Sequence, residues 1–375
     1  MTGSRLDHLD GLRALAALLV LCNHSWRMAW PRLQGDPVGL VPDQNWLLWT
    51  TGWARYGHFG VTLFIVVSGF CLMLPVARHG GRLRSSVGQF FLRRARRILP
   101  TYYAALACSL LLIWLFIGEK TGTQWDAQLP VTPAGVVSRL LMLQDVWEPL
   151  QINNPFWSIA VEWRIYFAFP LLVWAFQKWG PARVAAAGVA AVAVAMLIPV
   201  LLALSVGYLG MFLLGMLAAS LAHGPESSPR HGRIAAIICL GAGAALLAYC
   251  LAHDFLHVST RFRQLDFLAG LSAAAGLVFL SLSPGSRAAR ALRWKPLVVL
   301  GGFSYSVYLM HMPLLQLVWQ YGLAPWGLSR EATFFLLISL GWGLVLAGCR
   351  VFYHLFERPF LNPAAPPGPT TVRTP

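Results

Sequence analysis

Ten stretches of about twenty predominantly apolar residues follow one another along the chain, roughly at 9–29, 58–77, 98–117, 156–176, 184–203, 205–222, 234–252, 266–284, 298–321 and 331–356. At a rise of about 1.5 Å per residue, about 20 helical residues cross the ~30 Å hydrocarbon core of a bilayer. Backbone N–H and C=O groups find no partners in lipid, so a chain of such runs is expected to bond them internally as helices. The sequence therefore predicts an all-α polytopic membrane protein with about ten transmembrane helices. The fifth and sixth runs are joined by almost no loop, which makes that joint the hardest to place.

Composition agrees with this reading. The chain of 375 residues is 57% hydrophobic and 11% charged, against about 25% charged residues in a soluble domain. Its formal charge of +15 would suit a nucleic-acid binder. However, the basic residues fall in short loops, with no aromatic-interleaved basic face and no nucleic-acid motif, so no nucleic-acid partner is expected. With the N-terminus in the cytoplasm, inner segments hold 18 Lys and Arg and outer segments 8. That bias places both termini in the cytoplasm.

Arg5 followed by an apolar run looks like a secretory signal, but "LLVLC" leads into "NHSW" rather than a small-residue cleavage site. The first run is read as an uncleaved span. Residues 1–362 then form one membrane domain, and the Pro-rich tail 363–375 is expected to be disordered. The six cysteines lie in apolar stretches without metal-type spacing and read as small core residues.

The first run, "LDGLRALAALLVLCNHSW", carries ionisable groups where lipid would exclude them. Arg13 and His24 are eleven positions apart. At about 100° per residue they return to nearly one face, about 16 Å apart along the axis, with Asp10 one turn below Arg13. One reading is an interior ion pair plus an interfacial histidine. The other is a reaction axis, in which Arg13 holds an anionic group and His24 acts as a base.

In "NNPFWSIAVEWRIYFAFP", Ser158, Glu162 and Tyr166 recur at four-residue spacing on one helix face. Glu162 falls at a depth similar to that of His24, so it could orient the imidazole as a triad carboxylate does. The alternative is a structural ion pair with Arg164. In "GGFSYSVYLMHMPLL", Ser304, Tyr308 and His311 share a face with Tyr305 beside them, as a pocket wall or as interhelical hydrogen-bonding groups. In "FFLRRARRILP", Arg93, Arg94, Arg96 and Arg97 suit either anionic lipid or a substrate bearing several phosphates. Gly60, Ser68 and Gly69 in "GHFGVTLFIVVSGF" read as close-packing residues. Trp30, Trp46, Trp49 and Trp53 would either stack on sugars or anchor at the interface.

These stretches together resemble the acyltransferase type 3 family of membrane O-acyltransferases. "LDGLRALAALLVLCNHS", "FGVTLFIVVSGF", "RRARRILP", "FWSIAVEWRIYF" and "FSYSVYLMHMPL" with "ERPF" occur in the family's order across almost the whole chain. The resemblance implies ten helices and a multi-pass place in the bacterial inner membrane. It also implies acyl-CoA, acetyl-CoA first, as a cytoplasmic co-substrate with no permanently bound cofactor, and a carbohydrate or glycolipid acceptor.

By that resemblance Arg13, His24 and Glu162 are catalytic, and Arg93, Arg94, Arg96 and Arg97 bind the donor. Asp10, Ser158, Tyr166, Tyr305, Tyr308 and His311 are read as substrate-binding. Ala160 stands where many relatives have a second serine, and the family's frequent esterase-like domain is not part of this sequence. No metal site is expected, since His24 and His311 alone lack supporting ligands. The rival reading is a proton-coupled transporter or flippase of a sugar or lipid-linked glycan, which also places ionisable groups inside the membrane. It predicts repeated halves with broken helices in matching positions, and the sequence shows neither.

Overall fold

The computed structural model describes residues 6–31, 39–83, 85–147 and 151–361. The Pro-rich tail lies outside the described residues. Among them every regular element is a helix. The longer helices are numbered here α1 (Asp7–Ala29), α2 (His58–Ala77), α3 (Val87–Leu112), α4 (Phe156–Trp179) and α5 (Pro181–Ala195). They continue with α6 (Gly207–His223), α7 (Pro229–Ala252), α8 (Phe262–Leu282), α9 (Ser304–Leu317) and α10 (Arg330–Phe360, continuous through π-turns). Shorter helices are named by their residues.

Six helical segments are long and apolar enough to cross a membrane: Asn45–Ala77, Val87–Ile117, Phe156–Trp179, Pro229–Ala252, Phe262–Leu282 and Arg330–Phe360. A seventh is present if Lys295–Gly301 and Ser304–Trp326, bent by 77°, count as one span. α5 and α6 are apolar but have only 15 and 17 residues. α1 has 23 residues but carries Asp7, Asp10, Arg13 and Arg27. The molecule is thus a multi-pass, all-helical membrane protein.

Two of the apolar runs are interrupted. The run at 184–203 breaks between α5 and a short helix, Pro199–Ala203. Pro199 has no N–H to donate, and Ile198 before it is extended at φ −94°, ψ 114°. The run at 298–321 bends between Gly301 and Ser304, where the Ser304 hydroxyl donates to Gly301 O at 2.9 Å.

Burial separates a centre from a periphery. In the Asn45–Ala77 segment 61% of the apolar window is buried, whereas in α7 only 11% is. Ile237, Leu240, Leu247 and Leu251 of α7 are exposed, as befits a lipid-facing surface. α2 and α6 cross at mutual glycines. A Cβ on Gly69 would lie 2.2 Å from Phe212 O, and one on Gly215 would lie 2.1 Å from Val66 O. Without a hydrophobic force between helices in lipid, such backbone-to-backbone contact supplies the packing energy. The N-terminal half of α1 is seated in the same way, since a Cβ on Gly301 would lie 1.9 Å from Asp10 O.

Residues 118–147 and 151–155 fold back onto the bundle. Arg139, counted in the sequence as a loop charge, is fully buried and donates to Gly135 O and Gln151 O. Asn153 Nδ2 donates to Leu309 O at 2.8 Å, which ties this segment to α9. Trp30 is also buried, packed between Trp26 and Phe334, so it is not a stacking surface. Trp46, Trp49 and Trp53 are exposed.

Gly215→Leu should force α2 and α6 apart and cost about 1–3 kcal/mol or more, lowering the thermal unfolding midpoint in detergent micelles. Gly241→Ala, where an added Cβ meets nothing within 4 Å, should leave the midpoint unchanged or slightly higher. Equal midpoints for wild type and Gly215→Leu would disprove the close crossing.

Candidate functional site

At the N-terminal end of α1 the helices enclose a cavity of about 560 Å³. Its wall takes Asp10 and Arg13 from α1, Ser68 and Cys71 from α2, Arg93, Arg94 and Arg97 from α3, and Ser158, Glu162 and Tyr166 from α4. Ser304, Tyr305 and Tyr308 come from α9, and a π-turn in α10 adds Tyr353 and Glu357.

The three carboxylates are all engaged. Asp10 Oδ1 accepts from Arg13 Nη1 at 2.9 Å. Glu162 accepts from the Tyr166 hydroxyl at 2.6 Å, and Glu357 accepts from the backbone N–H of Ser306 at 3.1 Å and from its hydroxyl. Arg13 also donates from Nη2 to Cys71 Sγ at 3.1 Å, and Arg93 donates to Ser85 Oγ. Arg94 Nε is buried and has no hydrogen-bond partner among the described residues. A buried guanidinium nitrogen without an acceptor is costly, and an anion entering the cavity would relieve it.

At the other end of α1 lies a second cavity of about 370 Å³, lined by His24, Asn23 and Arg27 of α1 and by Arg55, His58, Asn154, Trp157, Phe255 and Phe262. Val61 and Tyr308 line both cavities, so the two meet there. Ser158 Oγ and Tyr308 Oη share a hydrogen bond of 2.6 Å at this wall.

The His24 ring is held by Gln124. Gln124 Nε2 donates to the backbone carbonyl of His24, which turns Gln124 Oε1 toward His24 Nδ1 at 3.1 Å. The carbonyl oxygen only accepts, so Nδ1 carries the proton and Nε2 is left with the lone pair. His311 is fixed in the same tautomer, with Nδ1 facing the carbonyls of Val307 and Tyr308 at 3.0 and 2.9 Å. Its Nε2 is buried without a partner among the described residues, and its ring centroid lies 5.0 Å from that of His24.

Several expectations change in detail. Asp10 and Arg13 pair as their spacing predicts. Glu162 does not contact His24; it bonds Tyr166 on the first cavity, and the orienting contact to His24 comes from Gln124. Equal depth on two helices does not imply facing sides. Arg164 is not the partner of Glu162 either, because it forks onto Asp145. Of the four clustered arginines, Arg96 points to the exterior and lines neither cavity. Ser68 bonds the Tyr166 hydroxyl at 3.1 Å on the cavity wall rather than serving only as a packing residue. Tyr305 lines the first cavity, and His311 stands behind His24 rather than on a cavity wall.

Sequence reasoning missed Gln124, Ser306, Tyr353 and Glu357. Glu357 stands in the quoted "ERPF" and was legible as a charge in an apolar run. Gln124 sits in a polar loop and gave no periodic signal. Among the described residues no cluster of three or more metal-ligating side chains occurs.

Comparison with known proteins adds independent findings. The sequence profile described as an acyltransferase domain, of the type 3 acyltransferases, matches residues 6–354. A Bacillus subtilis protein named as a candidate peptidoglycan O-acetyltransferase is 25% identical over 362 residues, covering 82% of this chain and 48% of its own length. The acyltransferase MdmB of Streptomyces mycarofaciens is 31% identical over 175 residues, 44% of this chain and 39% of its own. The peptidoglycan O-acetyltransferase OatA of Listeria monocytogenes is 24% identical over 177 residues, 46% of this chain and 24% of its own. The chain spans about half the length of these curated relatives or less. No solved structure matches.

Removing the Gln124 clamp should release the His24 tautomer. Nitrogen-15 NMR of labelled histidine in liposomes should show one Nδ1–H form for His24, assigned by its loss in His24→Gln. That form should become a mixture in Gln124→Leu. A single unchanged tautomer in Gln124→Leu would show that another group fixes the ring.

Proposed function

We propose that this chain, which belongs to the type 3 acyltransferase domain family, moves a short acyl group from acyl-CoA to a hydroxyl of a carbohydrate or glycolipid on the far side of the membrane. The observation that carries this reading is the pair of cavities meeting at Tyr308 and Val61, one lined by arginines and the other by His24. Relatives named for peptidoglycan O-acetylation favour acetyl as the group and a glycan as the acceptor.

In this reading the arginine-rich cavity opens to the cytoplasm, because Lys and Arg gather at that end. The chain crosses the bacterial cell membrane ten times, with both termini cytoplasmic. Acyl-CoA enters from that side without being permanently bound. Its phosphates meet Arg93, Arg94 and Arg97, which bind phosphate in forked pairs. Arg13, held by Asp10, meets the donor deeper in the cavity. The pantetheine arm brings the thioester to the wall at Tyr308, whose hydroxyl can accept from Ser158 and donate to the carbonyl oxygen as it gains charge.

The acceptor hydroxyl comes from the second cavity. His24 Nε2 takes its proton as the oxygen attacks the thioester carbon. The C–S bond breaks, the ester forms, and the imidazolium returns the proton to the leaving thiolate as free CoA. Gln124 keeps Nδ1–H pointing away so that Nε2 is the base, a neutral counterpart of the triad carboxylate. Glu162 then acts on the donor side by fixing Tyr166 rather than by steadying the imidazolium. A transporter or flippase would use the same two openings, but the family favours transfer.

The test uses vesicles holding wild type, His24→Ala or Arg94→Gln with acetyl-, propionyl- and succinyl-CoA and a surface-glycan extract. Thiol release and glycan mass are both followed. Wild type should release CoA in step with a gain of glycan mass, and His24→Ala should lose about a hundredfold or more in rate. Arg94→Gln should raise the KM for the donor about tenfold with a smaller change in kcat. Equal rates in wild type and His24→Ala would remove the base assignment.

A further inference from the structure

The second cavity does not end at His58 and Trp157. These residues and Asn154 also line a side room of about 260 Å³, whose remaining wall includes Tyr208, Arg263 and Asp266. Together the two spaces exceed what a single reacting hydroxyl needs, and the polar groups around them are not evenly balanced in charge.

The carboxylates facing these rooms are committed. Asp266 accepts from His58 Nε2 at 2.9 Å and from the Thr62 hydroxyl. Asp145 is forked by Arg164. Asp254, near Arg55, caps the next short helix by accepting from His257 N at 2.9 Å, and that bond holds its carboxyl below the usual carboxylate range.

Two guanidiniums, Arg55 and Arg263, are not committed to a carboxylate. Arg55 lies 3.8 Å over the Phe255 ring, and neither it nor Arg263 forms an ion pair with any carboxylate among the described residues. Arg55 lines the second cavity and Arg263 the side room, and the two spaces share His58, whose ring stacks on Phe262 at 4.7 Å. Trp157 and Tyr208 pack against each other with ring centroids 5.5 Å apart and together form an aromatic part of the side-room wall. Aromatic faces suit a sugar ring, and forked guanidiniums suit a carboxylate or phosphate.

From this we infer that the acceptor is an anionic saccharide, whose carboxylate or phosphate is held between Arg55 and Arg263 while the reacting hydroxyl reaches His24. The inference rests on the reading of the second cavity as the acceptor site, and a binding test without donor or turnover separates the two. A neutral glycan of the same length would fit the rooms but leave two guanidiniums unpaired.

The experiment measures quenching of tryptophan fluorescence in purified protein reconstituted in vesicles of neutral lipid. The probes are trigalacturonate, neutral galactotriose and galactose 1-phosphate. At low salt, trigalacturonate or galactose 1-phosphate should bind at least tenfold tighter than galactotriose, and the preference should shrink as salt rises. Whichever anion binds names carboxylate or phosphate as the group recognised. The double variant Arg55→Gln with Arg263→Gln should lose the preference, and Arg55→Lys with Arg263→Lys should retain most of it, which excludes a folding defect.

Equal binding of charged and neutral probes, or a preference that survives the glutamine pair, would overturn the charge assignment. That result would leave the acyltransferase reading standing. Conversely, charge-selective binding together with failure of every acyl-transfer assay would keep this site and remove that reading.

Discussion

The bundle is arranged around the cost of holding the polar side chains of α1 away from water. A charge at mid-membrane costs about 2.5–3.5 kcal/mol on insertion scales, and α1 buries Asp10 and His24 while Arg13 is partly covered. Several of these groups are met by partners, some on α1 itself and some from elsewhere in the chain, whereas the buried ring nitrogens of His8 find none among the described residues. Arg13 bonds Asp10 and Cys71, and Asn23 donates to the carbonyls of Ala54 and Arg55. His24 is clamped by Gln124, and Ser25 accepts from Trp342. The 77° bend before α9 belongs to the same arrangement, since it brings Gly301 against the backbone of Asp10. α1 thus does not need a lipid-compatible surface of its own.

How far the sequence revealed this depended on the range of the interaction. Apolar runs are local, so every long helix was legible. The interruptions at Pro199 and before Ser304 fell inside runs whose overall hydropathy hid them. Residues that share a face of one helix were also legible. Asp10 with Arg13 and Glu162 with Tyr166 follow from one turn of helical spacing. Contacts between helices were not, because depth along an axis says nothing of rotation about it. That is why Glu162 was assigned to His24 and Gln124, from a polar loop, was overlooked. The four arginines read as one cluster because they are sequence neighbours, yet a helix turns about 100° at each step and sends Arg96 to the exterior.

The two cavities differ in the kind of group on their walls. The first gathers hydroxyls and guanidiniums around carboxylates that are already satisfied, an environment that orients and holds charge. The second presents an imidazole whose lone pair is fixed by neutral hydrogen bonds rather than by an ion pair. In the proposed transfer this clamp would orient the imidazole without placing a second charge beside it.

The narrow wall shared by the cavities has an electrical consequence. Energised membranes hold a potential worth about 2.3 kcal/mol for each charge per 100 mV. In the proposed orientation the two cavities open to opposite faces of the membrane and would concentrate that drop across whatever separates them. Here the separation is Tyr308, its hydrogen bond to Ser158, and Val61. This plug would therefore sit in a strong local field and have to insulate against leakage of protons and ions at rest. In the proposed reaction the hydroxyl pair that would meet the substrate would also be the gasket of the membrane.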